Sequence, residues 1–143
     1  MTELPAPLEQ TRDDFNALSG NDRIQLLLEF ANELPELPAR YADHPELLER
    51  VEECQSPVYI FVEVDEANIV SVFATAPAEA PTTRGFASIL VNGLSGLSAD
   101  EVLSVTPDFP NMLGLAEIIS LLRLRGMSGM LGRIKRQVAE KVH

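Results

Sequence analysis

The sequence predicts an α+β fold, a small antiparallel three-stranded sheet packed against several helices. Three observations predict it. Residues 58–64 alternate Val58, Ile60, Val62 and Val64 with Tyr59, Phe61 and Glu63, which is the two-residue period of a strand rich in β-formers. Residues 69–75 read as a second strand after the turn-like tetrad Asp65-Glu66-Ala67-Asn68, so the two runs form an expected hairpin. On either side, the apolar residues switch to the three-to-four spacing of helices with one buried face.

The elements follow in order. Residues 8–18 carry a weak helical pattern. Asn21 is the expected cap of a helix over residues 22–33, with Ile24, Leu27, Leu28 and Ala31 on its apolar face. Leu34-Pro35-Glu36-Leu37-Pro38 ends it, because proline cannot continue the helical hydrogen-bond ladder. A third, short strand is expected near residues 50–52. Residues 82–94 form a helix with Phe86, Ile89 and Leu90 on one side. Ser98 and Glu101 have the spacing of a capping box and start a short helix. Met112, Leu115, Ile119 and Leu122 predict a further helix, and Met127, Met130, Leu131, Ile134 and Val138 a last one. The 143 residues contain no repeat, low-complexity tract or linker, so a single domain over 1–143 is expected.

Charge narrows the function classes. The net charge of −11 argues against a general nucleic-acid binder, whose affinity comes from Lys and Arg on phosphates. The acidic side chains concentrate in residues 1–66, whereas six of the eleven basic ones lie between Arg123 and Lys141. That split suits docking onto a protein with its own charge pattern, and equally suits two solvated helix faces. No apolar run is long enough to cross a bilayer, and the start of the chain, acidic and proline-rich, is unlike a secretory signal. No membrane association and a cytoplasmic location are therefore expected.

A single cysteine, Cys54, rules out an internal disulfide and a cysteine-ligated metal centre. His44 and His143 are too far apart in sequence to suggest a metal site. Cys54 lies between the acidic run 49–53 and the strand at Val58, with Pro57 just ahead of the strand. It is therefore expected on a strand-entry loop beside the polar Gln55 and Ser56, a place from which a thiol can reach a partner. A free cysteine is more often a small buried hydrophobe, so residue type alone assigns no role. Glu52 and Glu53 raise the thiol pKa if they are close, and the offsetting charge is expected from Arg84 or Arg123 in the chain, or from a docked partner. Arg84-Gly85 at a helix start also has the makings of an anion site, although packing and surface charge are its ordinary role.

Several segments together resemble a known family. Val51-Glu52-Glu53-Cys54-Gln55-Ser56-Pro57-Val58-Tyr59 is similar to the V-x-G-C-Q-S-x-V-W signature of the SufE family. Leu34-Pro35-Glu36-Leu37 resembles its L-P-x-L element, and Glu79 with Arg84-Gly85-Phe86 its acidic residue and [KR]-G-L segment. Arg123-Leu124-Arg125-Gly126-Met127, then Met130 and Arg133-Ile134-Lys135, resembles R-x-N-G-L-x-x-M with a basic tail. These elements keep the family's order. Glu53 stands where the family has glycine, Tyr59 where it has tryptophan, and Arg125 where it has asparagine; Ser120-Leu121-Leu122 lacks the usual S-P-S lead-in.

The resemblance implies a SufE/IscU-like fold and a sulfur-carrier role. Cys54 would take persulfide sulfur from a SufS-like cysteine desulfurase and pass it to a SufBCD-like iron–sulfur scaffold. Arg123 would hold the cysteine loop or the partner, and Gln55 and Ser56 would shape that loop. No cofactor is expected in this chain, because pyridoxal phosphate belongs to the desulfurase. The competing reading is a docking module of the same fold with an inert cysteine. A standalone thiol peroxidase is disfavoured by the lack of a resolving cysteine and of an evident base. A carrier must keep its persulfide from solvent thiols, so Cys54 is expected to be partly covered by apolar neighbours.

Overall fold

A computed structural model describes residues 4–143. Pro5 caps α1 (Ala6–Asn16) and Pro7 lies in its first turn, where a missing N–H breaks no helical hydrogen bond. The helix thus begins two residues before its expected start. Asn21 is not the cap of α2 (Asn21–Asn32). Gly20 takes that position at a φ of 52°, a left-handed geometry that suits glycine, and Asn21 becomes the first helical residue.

After Leu34-Pro35-Glu36-Leu37, the chain forms the short α3 (Ala39–Ala42) and a 3₁₀ turn (Pro45–Leu47) before entering the sheet. The sheet order is β1 (Glu49–Arg50), β2 (Tyr59–Val64) and β3 (Val70–Thr75), antiparallel throughout. The third strand is therefore present, one residue earlier than expected. Ile60 faces Ala74 and Val62 faces Val72 across β2 and β3, and all four are buried. The alternation seen in the sequence thus selects the face covered by α4 (Pro81–Leu94) and α6 (Leu121–Lys141). The other face carries Phe61 and Phe73, against which Tyr41 packs at 4.8 and 5.1 Å between ring centroids. Glu63 on that face pairs with Arg40 at 3.1 Å and accepts a hydrogen bond from Tyr41.

The helices complete the core. α2 lies against α4. Pro81 opens α4 one residue before the expected start. The capping box of α5 (Ala99–Ser104) is complete: Ser98 Oγ accepts from the Glu101 amide at 3.2 Å, and Glu101 accepts from the Ser98 amide at 3.1 Å.

The stripe from Met112 to Leu122 does not make a helix. Phe109–Leu113 is a 3₁₀ turn ended by Gly114 at a left-handed φ of 68°, and irregular backbone follows as far as Ser120. Leu115 and Ile119 are buried as the stripe implies, but Leu122 belongs to α6 and is exposed. The spacing marked buried positions; the left-handed glycine broke the helix they suggested.

α6 starts where Ser120 Oγ accepts from the Arg123 amide at 3.3 Å. Its C-terminal half is fastened to β2: Gln137 Oε1 accepts from the Val62 amide at 2.9 Å, and Lys141 donates to the Val62 carbonyl at 2.5 Å. The far end of the helix is thereby fixed against the sheet, and its near end is left as a platform beside the loop between β1 and β2. Among the described residues, no helix is long and apolar enough to cross a membrane.

Candidate functional site: the Cys54 loop and its cleft

Residues 51–58 leave the sheet between β1 and β2. The excursion is closed at its base, where the Val51 amide donates to the Val58 carbonyl at 2.9 Å, with both side chains fully buried. Within it, the Cys54 amide donates to the Val51 carbonyl at 3.1 Å, so the chain turns back and directs Cys54 inward. Cys54 is 8% exposed. It borders a cleft of about 330 Å³ whose lining includes Gln55, Ser56, Phe86, Leu122, Arg123 and Met130. The expected cover by apolar neighbours is thus present.

Two glycines of α6 set how closely the loop approaches. A Cβ on Gly126 would lie 2.9 Å from the Cys54 sulfur, so the thiol rests directly on the helix backbone. A Cβ on Gly129 would lie 2.7 Å from the Glu53 carboxyl carbon. These positions are three residues apart and share one face of the helix. Any larger side chain at either would push the loop outward.

The charges form a line along the same face. Arg133, one turn beyond Gly129, contacts Glu53 at 2.6 Å and Glu49 at 3.2 Å, while Arg136 binds Glu49 and also Glu140 at 2.7 Å. Burial is the largest influence on Glu53 and opposes its ionisation, but the hydrogen bond and charge of Arg133 together with a backbone hydrogen bond outweigh it and hold the carboxyl below its ordinary range. Glu49 is likewise held down, against its burial, by hydrogen bonds from Arg136 and Gln137. The thiol behaves in the opposite way. Burial first, and Glu53 second, push Cys54 up to about 11, with Arg133 only partly offsetting them. At neutral pH, Cys54 is therefore a protonated thiol in the closed loop.

The other residues singled out by sequence divide clearly. Gln55, Ser56 and Arg123 line the cleft, and Arg123 also reaches Thr82 Oγ1 at 3.4 Å. Arg84 does not line it. Its guanidinium donates to the carbonyls of Ala31 at 3.0 Å and Ala76 at 2.8 Å, so it ties α4 to α2 and to the end of β3. The cation that acts on Cys54 is Arg133, neither of the two anticipated. Its sequence signal was the spacing Gly126, Gly129 and Arg133, which places two small residues and one cation on a single helix face. Among the described residues, no three His, Cys, Asp or Glu side chains cluster to hold a metal ion.

The sequence matches the SufE family, described as an Fe-S metabolism associated domain, over residues 9–138. The chain belongs to the SufE family. An uncharacterized SufE-like protein of Mycobacterium tuberculosis is 54% identical over 137 residues, covering 96% of this chain and 94% of the relative. The SufE-like protein 1 of Arabidopsis thaliana, chloroplastic/mitochondrial, is 31% identical over 90% of this chain, which matches 34% of that longer protein. A Plasmodium vivax protein named cysteine desulfuration protein SufE is 28% identical over 87% of this chain and 62% of its own length. The solution structure of a hypothetical protein from Thermus thermophilus superposes with a TM-score of 0.83 at 38% identity, over 96% of this chain and 97% of that one. SufE membership places the chain in iron–sulfur metabolism, and the α+β fold agrees with the solved neighbour.

Proposed function

We propose that this SufE-family chain is a sulfur carrier: Cys54 accepts the outer sulfur of a cysteine desulfurase persulfide and passes it to an iron–sulfur cluster scaffold. The observation that carries the reading is the lone cysteine of the chain, set on a loop pinned at its base and folded inward over a cleft. In the transfer, the Cys54 thiolate attacks the outer sulfur of the partner's persulfide. A new S–S bond forms on Cys54, the old one breaks, and the partner's cysteine leaves as a thiolate that takes up the proton Cys54 gave up. The exchange is redox-neutral. Pyridoxal phosphate is assigned to the desulfurase, which generates the persulfide.

The buried thiol bears on when this happens. A protonated sulfur is a poor nucleophile, so the closed loop is the resting form and docking must expose or deprotonate Cys54. With no second cysteine in the chain, a persulfide on Cys54 has no intramolecular thiol to attack it. Leu121 and Leu122 are exposed apolar side chains at the start of α6, Leu122 borders the Cys54 cleft, and Arg123 and Arg125 follow them, which supports docking at this end.

The high pKa also favours a second reading, a docking module whose cysteine stays inert. Intact-mass measurement after incubation with a desulfurase, pyridoxal phosphate and cysteine separates the two. The carrier gains one or more sulfur atoms, reductant removes them, and Cys54→Ser gains none. An unchanged mass beside active desulfurases would establish the inert module.

A further inference from the structure

The family resemblance expects glycine before the cysteine, and this chain has a carboxylate there. Glu53 is the carboxylate through which the loop meets Arg133, which contacts both of its oxygens, at 2.6 and 2.9 Å. Arg133 also faces Glu49 on β1 at 3.2 Å. Its Nε is buried without a well-aligned hydrogen bond, so charge attraction, not a backbone tie, holds the guanidinium in place. Arg84 is the contrast, fixed by two carbonyls. If the loop lifts away, Arg133 loses Glu53 but keeps Glu49. Opening therefore does not strand a half-buried charge, which is the outcome that makes ion pairs costly to break.

We propose that Arg133 is a positioning residue that holds the Cys54 loop closed through Glu53 and thereby sets how readily the thiol is reached. Its meaning for sulfur transfer rests on the carrier reading above. Gly129 belongs to the same device, since the Glu53 side chain crosses α6 at a point where any Cβ would meet it. The pair is part-exposed, with 19% of the Arg133 and 42% of the Glu53 side chain accessible, so it biases the loop without locking it.

The test is the rate at which Cys54 in the full-length chain, with no partner present, reacts with an aromatic disulfide reagent at fixed pH. Glu53→Gln and Arg133→Gln should each speed labelling about three- to fivefold, the size expected for one part-exposed ion pair. The double variant should be no faster than either alone. Added salt should speed the parent chain and leave Glu53→Gln unchanged. A purely electrostatic influence on the thiol predicts opposite signs instead. Glu53→Gln would then speed labelling and Arg133→Gln would slow it, because the carboxylate disfavours the thiolate and the guanidinium favours it. That pair of results would overturn the latch.

Arg136→Gln breaks ion pairs on the same helix without touching the loop, so it should leave the rate alone. An acceleration equal to that of Arg133→Gln would report general loosening and would also overturn the proposal. If Arg133→Gln does not fold, Arg133→Lys decides. It keeps the charge but loses the fork, so the latch predicts faster labelling and the electrostatic account no change. Labelling needs no desulfurase, so loss of the latch and failure of sulfur uptake are read separately.

Discussion

Two loops join neighbouring strands of the same sheet, and they are closed in different ways. The turn between β2 and β3 is closed by its own Asp65 and is tied at Asn68 to the amides of Ala99 and His143, both at 2.8 Å. Asp65 Oδ1 accepts from the amides of Ala67 and Ile69, both at 2.9 Å, and Asn68 takes a left-handed φ of 60°. The excursion between β1 and β2 has its base pairing and one internal bond, from the Cys54 amide to the Val51 carbonyl, and is otherwise held by another element, through two glycines and an ion pair of α6. A turn bonded both to itself and to two further segments has little freedom to rearrange. A loop held by another element can be released without disturbing the sheet, which is what a thiol that alternates between shelter and transfer requires.

The sharpest way to break this contrast is at Gly126. Gly126→Val places a branched side chain where a single Cβ already meets the sulfur at 2.9 Å. It should cost about 1–3 kcal/mol in denaturant unfolding, as overpacking does. Native labelling of Cys54 should rise roughly tenfold or more, in line with that energy, because the loop yields before the helix does. Slow labelling with an unchanged midpoint would show that the thiol does not rest on the helix.

Next comes alkaline pH. The folded thiol keeps its proton up to about 11 from an ordinary value of 9.0. The sign follows: between those values the unfolded chain has already released the proton, so stability present below pH 9 is lost as pH rises through 11. The contribution is at most about 3 kcal/mol, and Cys54→Ser should flatten that part of the stability profile. The same chain should show alkylation rates still climbing at pH 10.

Smaller effects belong to the other loop. Asp65→Ala removes the acceptor of two amides and should cost about 1 kcal/mol in unfolding while leaving Cys54 labelling unchanged. Asn68→Gly keeps the left-handed backbone but removes the acceptor of the His143 amide at 2.8 Å, and should cost about 0.5 kcal/mol. If either altered Cys54 reactivity, the two loops would be coupled and the contrast would fail.

What could be read from the sequence was what is local. The alternation over 58–64 and the Ser98–Glu101 capping box depend on neighbours within a few residues, and both appear in the structure. Asn21 misled because Asn and Gly are both acceptable caps, and the tertiary path chose Gly20. The 112–122 stripe misled because burial at helical spacing does not require a helix. At the site, Cys54, Gln55, Ser56 and Arg123 were found through a short motif and its order along the chain, and all border one cleft. Arg84 takes the packing role that is ordinary for it rather than facing the thiol, and nothing in its neighbourhood of sequence names the carbonyls of Ala31 and Ala76 as its partners. Arg133 was missed because its bond to Glu53 spans 80 residues.

The bare backbone of α6 under the thiol has a directional consequence. Sulfur atoms in an S–S bond lie about 2.05 Å apart, and Gly126 leaves no such space between Cys54 and the helix. While the loop is closed, the room beside Cys54 is the cleft with Phe86 and Met130 and a second one with Leu122 and Arg125. On the carrier reading, a sulfur held in the first of these clefts lies against core side chains of α4 and α6. Those two helices then register delivery as a change in packing at the end of α6 where Leu122 and Arg123 border the same cleft.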